Sequence, residues 1–505
     1  MAEIIDPADR GDTMQLPGEL QKLARRFGMA VESDRLRIRD LVRRLFGHVV
    51  HNPGGMHMNT PTDAKDVSKE VTVPEFVPYN GQQRRFKRAI CLGGGGPAAG
   101  LHIGVLEGLA ANRIKFTRES DIWALSCIGA WVGILYNQAK KDHEIEETYN
   151  FFRGIFRDNK SFKSFPMNTV FAPDYAANAE AMLDYLLEPR HYRNLFLPRE
   201  IMKSFMHTMS ALRGMATSRR YKFSEGDFNR WILNDVLAVN PAVRLWTGMV
   251  YKSEITGLAR LYYPDSKFLR DIKFDRLEHD HKPYLFHNAW NLRWQDIQLF
   301  SNRDPGPPSH DRYKRITPQS LCACSALPFV EETVEIDGEP YCEGALKDTV
   351  NFKDLLKDHH HPPHDPLDEI WISRIVDADQ VRAPKDLHDA LANLCQLFAA
   401  TVGEDDVKLF LCKVRAHEHD RDPAKSYKGT IVGIPTSSHI TYEWSHRNLE
   451  AGRHYGRIAA HKAVNEYMAA GGPRPYGHLR IIGDKLREDE REEIKKRRRE
   501  AYSHP

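Results

Sequence analysis

The stretch DIWALSCIGAWVGILY, residues Asp121 to Tyr136, decides the fold of this chain. Its first apolar run, Ile122 to Leu125, is typical of a buried strand, and the run from Ala130 to Tyr136 is typical of the buried face of a helix. The few residues between them predict a sharp turn, so that the whole stretch is a nucleophile elbow. Such an elbow lifts one side chain, here Cys127, above the sheet at a helix N-terminus, where backbone N–H groups favour an anion.

A glycine-rich turn precedes the elbow. The run Arg88 to Leu92 predicts a strand, which leads into GGGGPAAG at residues 93–100 and then into a helix with an apolar face. Nucleotide-phosphate loops look similar, but no Gly-Lys-Ser/Thr follows here, and the next strand leads to Cys127 instead of an acidic ribose-binding residue. A third use of such a turn is an oxyanion hole, in which glycine N–H groups stabilise a negatively charged oxygen.

Predicted strands and helices alternate through the rest of the central region. They lie at 284–290, 296–301, 317–327, 333–342, 370–376 and 387–398. The pair of strands within 333–342 turns at Asp337-Gly338 and leads directly into Glu343-Gly344-Ala345. Alternation of this kind predicts a three-layer α/β domain, in which helices cover both faces of one sheet.

The composition is that of a globular protein with nearly balanced charge. Of 505 residues, 41% are hydrophobic and 28% charged, and 72 Lys and Arg against 69 Asp and Glu give a net charge of +3. This balance gives no reason to expect nucleic acid as a partner. The seven cysteines are few, odd in number and mostly set in apolar runs, which suits reduced thiols in a cytoplasmic protein.

The sequence predicts a cytoplasmic location, with peripheral contact to a membrane as an addition. The start, MAEIIDPADRGD, is acidic and lacks the apolar core of a secretory signal, and no uncharged run reaches the ~18 residues that span a bilayer. No Cys-x-x-Cys pair occurs, and the proline-interrupted histidines of 359–364 predict a surface loop. We therefore expect no metal site.

Three regions are predicted along the chain. Residues 1–85 form an N-terminal helical extension and linker, and its arginine-rich second helix fits a solvated face, a partner contact or a membrane surface. Residues 86–376 form the α/β domain, with a mostly helical insertion at about 140–245. Residues 377–505 form a C-terminal helical region and charged tail.

The insertion carries an apolar stripe at helical spacing. Its members are Met202, Phe205, Met206, Met209 and Leu212. Such a stripe predicts a face buried in the core. A soft lid over an acyl pocket is the alternative, because flexible thioethers adapt to lipid chains.

In order and spacing, these elements resemble the patatin-like phospholipase family. RAICLGGGGPAAGLHIGVLEGL, residues 88–109, resembles the family's oxyanion strand, turn and helix. ITPQSLCACSALPFVEETVEIDGEPYCEGALKDTVNF, residues 316–352, resembles its helix, hairpin and acid motif. The resemblance covers roughly residues 86–376 and implies a patatin-like sheet sandwiched by helices, with a helical insertion and helical extensions at both ends.

The resemblance also implies a site. The family's lipases use a Ser-Asp dyad, with serine in G-x-S-x-G and aspartate in D-G-G/A. Cys127 takes the place of the serine and Glu343 that of the aspartate, while Gly129 and Gly344 keep the supporting glycines. Leu125 replaces the first glycine of the elbow.

The oxyanion motif G-x-G-x-x-G corresponds best to residues 94–99, with Gly94, Gly95 and Gly96 as its glycines and alanine at its end. A thiol, with a solution pKa of about 8.5, ionises more readily than a hydroxyl, and a helix N-terminus lowers that pKa further. A carboxylate beside a thiolate is nevertheless repulsive, so either Glu343 is protonated or Cys127 is neutral. Ser126 points to the opposite face of an extended strand and is a poor nucleophile candidate.

These features predict a lipid acyl hydrolase or acyltransferase that acts on acyl esters or thioesters, with Cys127 as nucleophile and Glu343 as its partner. No cofactor is required. The alternative is a catalytically inactive patatin-fold protein that binds lipid or serves as a scaffold, because Leu125 and Ile128 add bulk around the elbow.

Overall fold

The computed structural model describes residues 70–483, except 157–163, 165–170, 172, 194, 218–223, 263–265, 280, 307–311, 361–363, 378–379, 421–425 and 436–442. The predicted helices of the N-terminal extension and the charged C-terminal tail lie outside the described residues.

Fourteen strands occur in the described part of the chain, and most belong to one sheet. They are β1 Phe76–Tyr79, β2 Gln82–Arg85, β3 Arg88–Leu92, β4 Ile122–Leu125, β5 Gly257–Ala259, β6 Tyr284–Asn291, β7 Asp296–Ser301, β8 Tyr313–Arg315, β9 Phe329–Glu331, β10 Val334–Ile336, β11 Glu339–Glu343, β12 Glu369–Ser373, β13 Thr430–Ile434 and β14 Arg480–Ile482.

The main sheet has ten strands in the order β10-β11-β6-β4-β3-β12-β13-β14, with β7 and β8 attached beyond β6. Its central strands β6, β4, β3, β12, β13 and β14 run parallel. Strands β7 and β11 both pair with β6 in the antiparallel sense. Strands β1–β2 and β5–β9 form two small separate sheets.

The α-helices lie before, between and after these strands. They are α1 Ala99–Ala111, α2 Ile128–Gln138, α3 Glu144–Ile155, α4 Ala177–Leu187, α5 Pro189–Tyr192, α6 Pro198–Thr217, α7 Glu225–Trp231, α8 Pro241–Lys252, α9 Lys267–Arg270, α10 Pro318–Ser325, α11 Phe352–His359, α12 Leu387–Ala416 and α13 His446–Ala469. A π-helix, Ile232–Leu237, separates α7 from α8.

Apolar side chains cover both faces of the central sheet. Within β3, Ile90 and Leu92 point into a cluster shared with α1, α2 and α13, whereas Ala89 and Cys91 point into a second cluster shared with α11 and α12. Because successive side chains of a strand alternate between faces, a strand that is apolar throughout must be covered on both sides. The predicted three-layer α/β fold is confirmed.

The C-terminal region differs from the sequence prediction of a separate helical region. Strands β13 and β14 continue the sheet beyond β12, so the predicted boundary at residue 376 falls inside the sheet. Helix α13 also packs closely on α1, where a Cβ added to Gly104 would lie 2.0 Å from the carbonyl oxygen of Arg453. Strands β13 and β14 have only five and three residues, too few to stand out in a region dominated by two long helices.

The stripe on α6 is not buried, so the prediction of a core face is wrong. Its five apolar residues are exposed, from 49% at Met209 to 64% at Met206. The spacing shows only that these side chains share one face of a helix, and the helix presents that face outward.

Within the described residues, no helix is both long enough and apolar enough to cross a bilayer.

Candidate active site

Cys127 lies between β4 and α2 in a backbone conformation that is rare for a side-chain-bearing residue. Its φ is 47° and its ψ is −122°. Its carbonyl oxygen accepts the first hydrogen bond of the helix, from the N–H of Ala130 at 2.9 Å, and its own N–H donates to Sγ of Cys324 at 3.0 Å. The predicted strand, sharp turn and helix are all present, and strained backbone angles of this kind are a known feature of nucleophile elbows.

Two glycines of α2 make room for this turn. A Cβ added to Gly129 would lie 2.2 Å from the carbonyl oxygen of Leu92, so only glycine lets the helix start so close to β3. Leu125 is fully buried, and a Cβ added to Gly133 would lie 2.6 Å from its Cδ2. The leucine that replaces the family's first glycine is therefore accommodated because residue 133 is itself glycine.

The register of β6 brings Glu343 to the elbow. Leu125, the last residue of β4, pairs with His287, and Glu343, the last residue of β11, pairs with Ala289 only two residues further along the same strand. Strands β4 and β11 therefore pair with successive stretches of the same edge of β6. Cys127 follows the end of β4 and Glu343 ends β11, so the two residues meet at the point on β6 where one pairing ends and the next begins.

Asn288 occupies the position between these two pairs. Its side-chain oxygen accepts a hydrogen bond from Oγ of Ser126 at 3.1 Å, and its Nδ2 donates to the carbonyl oxygen of Asp348 at 2.7 Å. A Cβ added to Gly344 would lie 2.6 Å from the Asn288 amide oxygen, which explains the glycine after the acid. Sequence analysis missed Asn288; its signal is an amide within a buried, otherwise apolar strand.

The Cys127 thiol and the Glu343 carboxyl are hydrogen-bonded, and both are buried. Burial raises the pKa of Glu343 to about 7, although the hydrogen bond from Cys127 opposes that rise. Burial also raises the pKa of Cys127 well above its ordinary value, and the charge of Glu343 adds to the effect, which the N–H of Ile128 only partly offsets. Desolvation exceeds the effect of the helix N-terminus here, so the thiol is neutral and the expectation of a lowered thiol pKa is wrong.

The glycine turn faces the pair. A Cβ added to Gly94 would lie 3.2 Å from Cβ of Cys127, so the absence of a side chain at Gly94 lets its backbone lie close to Cys127. Gly96 has a φ of +55°. Within the described residues, no acceptor is hydrogen-bonded to the N–H groups of Gly94, Gly95 or Gly96. These donors are therefore available to a bound oxyanion.

His102 holds the base of this turn. Its Nε2 lies 2.8 Å from the carbonyl oxygen of Gly93 and its Nδ1 lies 3.0 Å from Oγ of Ser373. Because a carbonyl only accepts, Nε2 carries the proton and Nδ1 accepts from the serine hydroxyl. Burial lowers the pKa of His102 to about 4, so the ring is neutral.

A pocket opens above Cys127 and Glu343, with about 980 Å³ of space between its lining atoms, part of it open to solvent. Trp131, Phe171 and Trp444 form much of its apolar wall, and α12 contributes Phe398 and Val402. Its predominantly apolar lining is that of a site for a hydrophobic ligand.

No described residue of α6 lines the pocket, so the exposed stripe is not a lid over it in this structure. The polar lining includes one residue that sequence analysis missed, Glu331 at the end of β9. Its signal was hidden because it lies in a short strand between two predicted elements.

The histidine segment also differs from the prediction of a surface loop. His359 ends α11 and is buried, and His360 is buried beside it, where its Nδ1 accepts the N–H of Leu367 at 3.0 Å. Among the residues that the structure describes, no group of three or more His, Cys, Asp or Glu is arranged to hold a metal ion. All seven cysteines are free thiols.

A family model described as patatin-like phospholipase matches residues 90–356, which is more than half of the chain. Among solved structures, VipD from Legionella pneumophila is similar, with a TM-score of 0.30 and 12% sequence identity over 80% of this chain and 71% of that chain. No curated protein matches the sequence.

Proposed function

The chain belongs to the patatin-like phospholipase family, and we propose that it is a lipid acyl hydrolase that cleaves acyl esters through a covalent intermediate on Cys127. The observation that carries the proposal is the elbow itself. Cys127 is held at a positive φ, hydrogen-bonded to Glu343, beneath an apolar pocket and beside glycine N–H groups that have no partner. This arrangement supplies a nucleophile, a base and an oxyanion hole.

In the first half of the reaction, Sγ of Cys127 attacks the carbonyl carbon of the ester as the thiol proton passes to the Glu343 carboxylate. The carbonyl oxygen becomes an oxyanion, and the N–H groups of Gly94, Gly95 and Gly96 stabilise it. The carbon–oxygen ester bond then breaks. The proton on Glu343 moves to the departing alkoxide, which leaves as an alcohol, and the acyl group remains on Cys127 as a thioester.

In the second half, water replaces the alcohol. Glu343 removes a proton from the water as the water oxygen attacks the carbonyl carbon of the thioester. The carbon–sulfur bond then breaks, the proton passes from Glu343 to the sulfur, and the carboxylic acid leaves. A second alcohol or an amine in place of water turns the same steps into acyl transfer. A thiol also accepts acyl groups from thioesters, which adds acyl thioesters to the substrates we propose.

Glu343 acts as a base only when it is ionised, and its pKa is about 7. The hydrolysis rate should therefore rise as the pH increases through about 7. The apparent pKa belongs to the coupled pair of Cys127 and Glu343, with Glu331 nearby adding its charge when ionised.

The proposal is tested with an ester-mimicking lactone probe and intact-protein mass spectrometry. We expect one probe per protein, lost in Cys127→Ala and greatly slowed in Glu343→Gln, but unchanged in the control Cys412→Ala, whose thiol is exposed. Cys127→Ser, which restores the family's nucleophile, should retain hydrolysis of the matching ester. If Cys127 reacts no faster than Cys412, the covalent mechanism is wrong.

A non-catalytic lipid-binding protein is the second candidate, and one observation favours it: burial raises the pKa of the Cys127 thiol so that the resting nucleophile is neutral. Such a protein would bind an acyl chain in the pocket without cleaving the ester. A wild-type protein that binds a fatty acyl ester, releases it intact after prolonged incubation and resists the lactone probe would establish this function instead.

A further inference from the structure

We propose that Glu331 binds a free hydroxyl on the alcohol part of the substrate, so that the pocket selects an uncharged, hydroxyl-bearing acyl ester over one with a phosphate. The inference rests on the proposed function for its placement of the ester above Cys127. It assigns a role to a residue that takes no part in the reaction steps.

Glu331 is fixed at the pocket wall by its backbone. As the last residue of β9, it pairs with Ala259 of β5, and its N–H donates to the carbonyl oxygen of Leu327 at 2.9 Å. A Cβ added to Gly257 would lie 2.2 Å from the Glu331 carbonyl carbon, so the two strands meet at their closest approach there. The position of this side chain is therefore set by a close-packed pair of strands.

The carboxyl of Glu331 lacks a partner. Its Oε2 is buried and makes no hydrogen bond in the described part of the protein. A buried polar atom without a partner costs about 1–3 kcal/mol. Because Glu331 lines the pocket, a ligand hydroxyl there is a partner of the right chemistry for its carboxyl.

Among the other polar groups of the wall, the N–H groups of Gly94 to Gly96 and Nε1 of Trp444 have no partner in the described residues, whereas the two hydroxyls are engaged. Ser325 Oγ accepts from Nε1 of Trp131 at 3.0 Å, and Thr349 Oγ1 donates to the carbonyl oxygen of Ala345 at 2.9 Å. Glu343 is hydrogen-bonded to the nucleophile. Glu331 is thus the carboxyl left to recognise the substrate's polar part.

The charge of the pocket decides which polar part fits. Among the described residues that line it, none is Lys, Arg or His, whereas two are Glu. A phosphate would enter an apolar space with no cation and two carboxyls, and burying an unpaired charge is strongly unfavourable. Burial, helped by the charge of Glu343, raises the pKa of Glu331 well above its ordinary value, which leaves a neutral carboxyl able to donate to and accept from a hydroxyl.

Binding is measured by isothermal titration of the full chain with three non-hydrolysable C12 ligands below their micelle concentrations. The ligands are 1-O-dodecylglycerol, dodecyl methyl ether and dodecyl phosphate. We expect wild-type protein to bind the glycerol ether about 10- to 100-fold more tightly than either other ligand, as one or two hydrogen bonds to a buried carboxyl would give.

Glu331→Leu should bring the glycerol ether to within about threefold of the methyl ether, because only the polar partner is lost. The matched control is Glu332→Leu, whose side chain does not line the pocket, and it should keep the wild-type ratios. Equal weakening of all three ligands by Glu331→Leu would show a purely structural role. Wild-type protein that binds dodecyl phosphate as tightly as dodecylglycerol would overturn the inference without any variant.

Hydrolysis separates this inference from the proposed function. Wild-type protein should cleave monolauroylglycerol with a kcat/KM about 10-fold or more above that for methyl laurate, and Glu331→Leu should remove the difference by raising KM. If no ester is cleaved but dodecylglycerol binding depends on Glu331, the catalytic proposal fails and the recognition site stands. If both esters are cleaved equally, the recognition site fails and catalysis stands.

Discussion

Replacing Glu343 with glutamine tests both the burial of the acid and its role as a base. Glutamine has the same size as glutamate and its amide oxygen still accepts a hydrogen bond from the Cys127 thiol, but the glutamine side chain never ionises. In the wild-type fold the pKa of Glu343 is about 7, against 4.5 for an unperturbed glutamate. The fold therefore favours the protonated acid.

The sign and size of the effect follow from that difference. A carboxyl with a raised pKa contributes stability that is fully present below about pH 4.5 and is lost as the pH rises through about 7. A shift of this size corresponds to about 3 kcal/mol of unfolding free energy at pH 8. Glu343→Gln removes this loss, so the variant should gain stability over wild type by about 2–3 kcal/mol between pH 5 and pH 8.

The measurement is urea unfolding of both proteins at pH 5 and pH 8, so that titrating groups that do not interact with Glu343 cancel in the difference, whereas Cys127 and Glu331 contribute to it. The same variant should lose about 10²- to 10⁴-fold in kcat at pH 8, because the proton acceptor is gone. A stability difference that is equal at the two pH values, or that favours wild type at pH 8, would show that Glu343 is not buried as an acid.

Glu339→Gln is a control of opposite sign. Hydrogen bonds from Trp294 and Tyr341 lower the pKa of Glu339 to about 2. Its ionised form contributes stability that is present above about pH 4.5 and is lost as the pH falls toward 2, so this variant should be less stable than wild type at pH 8.

Three further substitutions test how the site is supported. Asn288→Ala leaves Ser126 Oγ and the Asp348 carbonyl with only their 3.5 Å contact to each other, so it should lower the unfolding free energy by about 1–3 kcal/mol and reduce kcat, whereas unchanged kinetics would exclude a positioning role. Gly133→Ala should destabilise the elbow by about 1–3 kcal/mol, and calorimetry should show a smaller cost for the same change in a Leu125→Ala background, which is itself less stable because buried leucine atoms are lost; equal costs in the two backgrounds would mean that the two side chains do not clash. Gly104→Ala, which forces a Cβ against the partner helix, should lower the melting temperature, while a glycine-to-alanine change at Gly154, which meets no atom within 4 Å, should not.

The elbow and its surroundings were predictable because they are local. An apolar strand, a short turn and a helix are encoded within sixteen consecutive residues, and the glycine turn is encoded in the same way. The pairing of Cys127 with Glu343 was suggested by family resemblance. Its physical cause is the register of β6, which appears in no single stretch of sequence.

The sequence predicted the position of Cys127 correctly but the direction of its pKa shift wrongly. The helix N-terminus was expected to lower the pKa of Cys127, but burial and Glu343 raise it instead. Solution chemistry and secondary structure indicate which groups are present. The depth of burial, which decides their charge, depends on the layers that the whole chain packs over them.

By itself the sequence determined the strand, turn and helix that present Cys127, the glycine turn beside them and the hairpin that ends at Glu343, since each depends on neighbouring residues. Only the tertiary structure decided that residues beyond 376 extend the sheet and wall the pocket, that the stripe on α6 faces outward, and that Glu331 joins the site. These features depend on contacts between distant segments, and the same helical or strand-like spacing is compatible with an inward or an outward face until its partners are in place.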